Sequence, residues 1–229
     1  MSLDIKQINQ NELTPDQYFR DDCSSLKKII VLHHTAGGAS SVNTIHGWQY
    51  NKERVGTAFV ISGKAKNEKD GQIYQAFGSK YWAYHIAFSS KSNKVPDKYH
   101  NFTLEQQIAK SSIGIEICNF GGLLLDKDGN YRTYVNSIIP PEEVIELDKP
   151  FRGFKYYHAY TDAQIESLKN LLIYLCDKYN IPKTFNSDMF DININALDGK
   201  SGIWTHVSYR SDKSDCSPQP KLINMLKNL

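Results

Sequence analysis

The chain predicts an α/β fold, a single domain with a central mixed β-sheet flanked by helices. Short continuous apolar runs alternate along it with segments of helical spacing. Its 229 residues are 40% hydrophobic and 23% charged, a globular balance that suits one domain with decorations. No window nears the roughly 18 consecutive apolar residues that a membrane span requires.

Residues 1–27 are polar and weakly patterned and read as an N-terminal arm, with the domain proper at 28–229. Lys28-Ile29-Ile30-Val31-Leu32-His33 is a β-branched and aliphatic run followed by the turn residues Ala36-Gly37-Gly38, which predicts a buried strand. Ser40 or Ser41 caps a helix running to about Lys52. Gly56–Ile61 is a second strand. Gln72–Phe77 alternates behind Asp70-Gly71 and pairs with it.

Ser112–Asn119 is the next strong strand, and Leu123–Leu125, Asp128-Gly129 and Tyr131–Val135 form a hairpin. Pro140-Pro141 through Pro150 reads as irregular. Thr161-Asp162-Ala163-Gln164 is a capping box. Behind it Ile165, Leu168, Leu171, Leu172, Leu175, Cys176 and Tyr179 keep helical spacing until Asn180 and Pro182 stop it. Gly202–His206 is a short strand that enters a loop, and Lys221–Leu229 is a terminal helix.

A formal charge of +2 excludes nucleic-acid binding driven by bulk electrostatics. Four cysteines without a CxxC pair exclude a zinc ribbon or a thioredoxin-like motif, and they are too sparse for a disulfide scaffold. The opening MSLDIKQINQNELT has no apolar core behind a basic start and does not read as a secretory signal. The 14 Tyr, 10 Phe and 3 Trp suit a groove that holds sugar or peptide, although most such residues serve as core and surface.

Three positions carry candidate chemistry. His33 closes the first apolar run, and strand alternation sets His33 and His34 on opposite faces, so at most one enters a given site. His206 opens an ion-rich loop and precedes Asp215 by nine residues, with Cys216 beside it. These are ligand types suited to zinc, although a charged loop is more often a solvated face. Glu116 sits within Ile113-Gly114-Ile115-Glu116-Ile117, where a buried carboxylate needs a partner or a purpose. Desolvation would raise its pKa toward that of a general base, while alternation equally allows it to face solvent.

Four separated pieces now combine: Ile30-Val31-Leu32-His33-His34-Thr35-Ala36, Tyr84-His85-Ile86-Ala87, Ser112-Ile113-Gly114-Ile115-Glu116, and Thr205-His206 with Lys213-Ser214-Asp215. In this order they resemble the zinc-dependent N-acetylmuramoyl-L-alanine amidases of the type-2 family, which includes phage endolysins and peptidoglycan recognition proteins. The resemblance implies a peptidoglycan recognition protein-like amidase fold with a groove over one sheet edge. It implies Zn2+ held by His33, His206 and a third ligand, for which Asp215 and Cys216 compete. Lys213, two residues before the family's third ligand, selects Asp215, and Pro218 agrees.

By the same resemblance Glu116 and Lys213 are catalytic, and His85 contacts substrate in the groove. Some relatives carry a catalytic tyrosine in the strand matching Gly56–Ile61. Here that region holds Thr57 and Ala58, so Glu116 serves instead and Thr57 assists by hydrogen bonding. The stretch 120–160 is longer than the family's minimal core and is expected as an insertion forming a wall of the groove.

The implied activity is zinc-dependent hydrolysis of the amide between N-acetylmuramic acid and L-alanine in peptidoglycan. The alternatives are a non-catalytic peptidoglycan-binding module and a zinc peptidase acting within the stem peptide. A glycosidase ranks last, since it needs two carboxylates across the bond. The expected partner is the muramyl peptide of peptidoglycan, with no nucleic acid and no membrane insertion; the oligomeric state is not readable from the sequence, and a monomer is assumed. The expected setting is synthesis in the cytoplasm and action at the cell wall, in a lytic or a recycling role, as for a phage-encoded endolysin released by a holin.

Overall fold

Parallel apolar strands make the centre of the molecule. The computed structural model describes residues 8–10, 12–51, 53–88 and 95–229. In chain order the elements are β1 (Ile8–Gln10), β2 (Ile29–His34), α1 (Ser41–Gln49), β3 (Phe59–Ile61), β4 (Ile73–Gln75), α2 (Phe102–Ser111) and β5 (Ser112–Ile117). There follow β6 (Gly122–Leu125), β7 (Tyr131–Arg132), β8 (Ile138–Ile139), β9 (Val144–Phe151), β10 (Phe154–His158), α3 (Asp162–Tyr179), α4 (Ile194–Leu197), β11 (Gly202–Thr205) and α5 (Pro220–Lys227).

Among the described residues a six-stranded sheet has the order β1-β4-β3-β5-β2-β11, mixed because β3 and β4 run antiparallel and the other pairs are parallel. All six residues of β2 are buried, as expected of a parallel strand covered on both faces. Ile30, Leu32, Ile113 and Ile115 line one face of the adjacent pair β2 and β5; Val31, His33, Gly114 and Glu116 line the other. α1 and α3 pack against β3, α2 against β5, and α3 against α5.

Local chemistry explains the helix limits. The Ser40 side chain accepts from the Asn43 N–H, which starts α1, and Thr161 and Gln164 form the reciprocal box that starts α3. Asn180 takes the left-handed conformation, with φ at 52°, and ends α3. α2 goes unread in the sequence, although the Asn101 side chain accepts from the N–H groups of Thr103 and Leu104 in its first turn.

The segment expected as an N-terminal arm lies against the domain where it is described. β1 adds a parallel strand to β4, and Leu13, Tyr18 and Cys23 are buried. Lys27 is buried too, its ammonium donating to the carbonyls of Tyr81 and Ser112. Burial lowers its pKa to about 8.

The expectation of irregular chain from Pro140 to Pro150 is wrong. After a short 3-10 turn, β9 runs from Val144 to Phe151 and pairs antiparallel with β10. The two join a five-stranded sheet of order β8-β7-β6-β10-β9. Pro150 is tolerated because β9 is an edge strand. The turn at Arg152-Gly153 has φ of 49° and 87°, the left-handed pair that a tight hairpin needs. No helix among the described residues is long and apolar enough to cross a membrane.

Candidate metal centre

The carboxyl ends of three neighbouring strands build the site, the usual place for ligands in open α/β sheets. β5 delivers Glu116, which stands in register with His33 of β2. β11 pairs with β2 up to Thr205, and His206 follows at once in a 3-10 turn. The loop after it folds back, the Val207 N–H donating to the Asp215 carbonyl at 3.1 Å. His33, His206 and Asp215 are thereby brought together from positions that the sequence separates widely.

Their facing atoms form a small triangle. His33 Nδ1 lies 3.1 Å from His206 Nδ1 and 3.2 Å from Asp215 Oδ2, and His206 Nδ1 lies 2.9 Å from Asp215 Oδ2. The outer nitrogen of His206 donates to the Ile86 carbonyl at 3.1 Å, which leaves its Nδ1 as an electron-pair donor. Zinc–ligand bonds of about 2.0–2.2 Å put tetrahedral donor atoms roughly 3.3–3.6 Å apart, close to this triangle. Two imidazoles and a carboxylate, facing one another with lone pairs, fit a divalent transition-metal cation.

Electrostatics agree with that donor set. Burial, reinforced by His206, lowers the His33 pKa to about 4, so the ring is neutral near pH 7. Glu116 goes the other way. Burial first, and the Asp215 charge second, push its pKa well above the usual range, and Lys213 pulls weakly against them. Glu116 Oε2 is buried and has no hydrogen-bond partner among the described residues. A carboxyl oxygen left unsatisfied beside three metal-ligand types is poised for a proton transfer.

Glu116 and Lys213 both line the cleft above this cluster, about 380 Å³ in volume, with Trp48, Tyr84 and Arg210 among the other walls. Trp48 and Arg210 carry no spacing signal of their own, and Tyr84 enters the sequence reading only as the start of the Tyr84-His85-Ile86-Ala87 piece. His34 lies on the opposite strand face, its Nδ1 within 3.1 Å of the Tyr160 hydroxyl. Cys216 stays outside the triangle, its thiol buried and hydrogen-bonded with Tyr160.

Two expected substrate contacts are otherwise engaged. His85 lies at the cleft, but its Nδ1 meets His33 Nε2 at 3.0 Å and its Nε2 meets Ser112 Oγ at 2.9 Å. Neither ring nitrogen is free for a substrate. Thr57 is buried, and its hydroxyl donates to the Phe59 carbonyl at 2.9 Å, so its proton is spent within the chain.

The stretch 120–160 supplies no lining residue to the cleft, against the expectation of a groove wall. Its β9–β10 turn instead braces the loop that carries Lys213 and Asp215. The Arg152 guanidinium donates to the Ser211 carbonyl at 3.0 Å and to Asp191 at 2.8 Å.

A carboxylate-flanked His-His-Asp cluster at a strand-edge cleft has the make-up of a hydrolase centre. Residues 25–220 match the profile of the N-acetylmuramoyl-L-alanine amidase family, and the chain belongs to that family of peptidoglycan-cleaving enzymes. No curated relative matches it by sequence. Among solved structures PlyL is similar, with a TM-score of 0.50, 16% identity and 96% of each chain covered. Two others are the Staphylococcus aureus hydrolase AmiA in complex with its ligand (TM-score 0.47, 13% identity, 100% of this chain and 83% of that one) and AmpDh3 from Pseudomonas aeruginosa (TM-score 0.47, 17% identity, 100% and 65%). At such identities the likeness to PlyL speaks for the fold.

Proposed function

We propose that the enzyme hydrolyses the amide joining the lactyl group of N-acetylmuramic acid to L-alanine, with zinc held by His33, His206 and Asp215. The observation that carries this reading is the meeting of His33 Nδ1, His206 Nδ1 and Asp215 Oδ2 within 3.2 Å, on the strand edge that also bears Glu116. When bound there, zinc supplies a Lewis acid and a water of lowered pKa at its open position. Glu116 takes a proton from the attacking water and passes it to the departing amine. Its raised pKa suits both halves of that task, since the group is a stronger base than an exposed glutamate and a usable acid afterwards. Lys213 places positive charge where the tetrahedral oxyanion develops. Trp48 and Tyr84 offer flat faces to the muramyl ring or the stem peptide. The enzyme acts on the bacterial cell wall, in a lytic or a recycling role.

Digestion of purified peptidoglycan tests this. The expected product is free L-alanine amino termini with no new reducing ends. Peptide fragments alone would make the protein a stem-peptide peptidase, and binding without product would make it a recognition module. Glu116→Gln should retain zinc and lose about 10²–10⁴-fold in turnover. Near-normal turnover in that variant would remove Glu116 from the mechanism.

A further inference from the structure

The metal-ligand types of the cluster do not explain one buried chain of polar groups beneath it. His33 Nε2 lies 3.0 Å from His85 Nδ1, His85 Nε2 lies 2.9 Å from Ser112 Oγ, and the Ser112 hydroxyl lies 3.1 Å from the Ala109 carbonyl at the end of α2. A carbonyl only accepts, so Ser112 donates to it and turns a lone pair to His85. His85 then carries its proton on Nε2 and leaves Nδ1 bare. His33 donates from Nε2 into that bare nitrogen, and its own Nδ1 is left with a lone pair that faces His206 and Asp215. The reverse assignment would swing the Ser112 proton away from the Ala109 carbonyl and put a proton on His33 Nδ1, in the middle of the cluster.

Gly114 makes room for this arrangement. It is the strand neighbour of the site, and a Cβ there would stand 3.1 Å from His85 Nδ1 and 2.7 Å from the Thr57 methyl. The glycine of Ile-Gly-Ile-Glu thus reads as clearance for the imidazole stacked above the sheet. Thr57 belongs to the same layer, its hydroxyl tied to the Phe59 carbonyl and its methyl set against Gly114.

We propose that Ser112 and His85 are a positioning pair that fixes His33 in the tautomer whose Nδ1 lone pair enters the cluster. This rests on the metal reading of the cluster and adds the residues that prepare one of its ligands. It also gives His85 a role other than substrate contact. Partners of this kind orient a ligating ring and raise its basicity, and their loss commonly costs 10–100-fold in metal affinity.

Two measurements on four proteins test the pair: wild type, His85→Ala, His85→Asn and Ser112→Ala. The first is zinc affinity, by competition with a chelating dye. The second is the tautomer of His33 in the zinc-free protein, by long-range nitrogen–proton NMR correlation. Wild type should show the proton on His33 Nε2. His85→Ala and Ser112→Ala should lose that preference and bind zinc about 10–100-fold more weakly. His85→Asn offers an amide oxygen to the His33 N–H and should recover part of the loss, which a merely space-filling role would not allow.

A His33 proton on Nδ1 in wild type overturns the proposal. So does Ser112→Ala with unchanged affinity and unchanged tautomer. Should His85→Ala fail to fold, Ser112→Ala, which deletes a single oxygen, decides by the same two readouts. Wild type that binds no zinc refutes the metal reading of the site, while its tautomer measurement still decides the fate of this pair.

Discussion

The two sheets use similar aliphatic residues to different ends. In β2 all six positions are buried, and its last two are histidines facing opposite sides of the sheet. In the five-stranded sheet, Leu124 is 61% exposed and Ile138 54%, on one row with Arg132 between them. A parallel strand buried on both faces has no freedom in register, so a side chain at its end is held to within a fraction of an ångström. An antiparallel sheet with a solvated face tolerates wide variation on that face. The first region carries the candidate site; the second reaches it through Arg152 alone among the contacts described above.

The contrast predicts where substitutions hurt. The largest effect should come from His206→Ala, with zinc content by mass spectrometry falling toward zero and turnover to background. Full metal stoichiometry in that variant would break the comparison at its strongest point. A smaller effect concerns pH. A general base works deprotonated, so kcat/KM should rise with pH through the Glu116 pKa, which burial and the Asp215 charge set well above the usual carboxylate range. Lys213→Ala removes a positive charge that lowers this pKa, so the acid limb should move to still higher pH. A limb that stays in place separates Lys213 from Glu116 electrostatically. The smallest effect should come from Leu124→Ser on the exposed row, with urea unfolding shifted by no more than about 0.5 kcal/mol. A cost several times larger would show that this row is covered in solution.

The same contrast governs what the sequence reveals. β2 and β5 are continuous apolar runs, and α3 announces itself with a capping box and a heptad-like row of leucines, so each is visible from residue types alone. β9 hides because Pro140, Pro141 and Pro150 read as breakers, whereas an edge strand leaves room for proline. β1 hides because three residues cannot establish a period. In the site, His33, Glu116 and His206 are legible as polar groups at the ends of apolar runs. The engagement of His85 is not, because it depends on Ser112, 27 residues away, and that of Thr57 is a side-chain bond to the carbonyl two residues on, which residue type alone does not announce. Asp215 and Cys216 are neighbours in the chain, and only the fold turns one toward the histidines and the other toward Tyr160.

His33 belongs to the interior of the six-stranded sheet and His206 follows its edge strand, 173 positions later. An ion gripped by both would therefore staple the edge strand to the buried strand beside it, like a rivet through the last plank of a hull. Edge elements open first in a native protein, and whatever binds only the closed form holds them shut. Were a metal held there, its removal would cost more than turnover: it would loosen the fastening of the C-terminal segment.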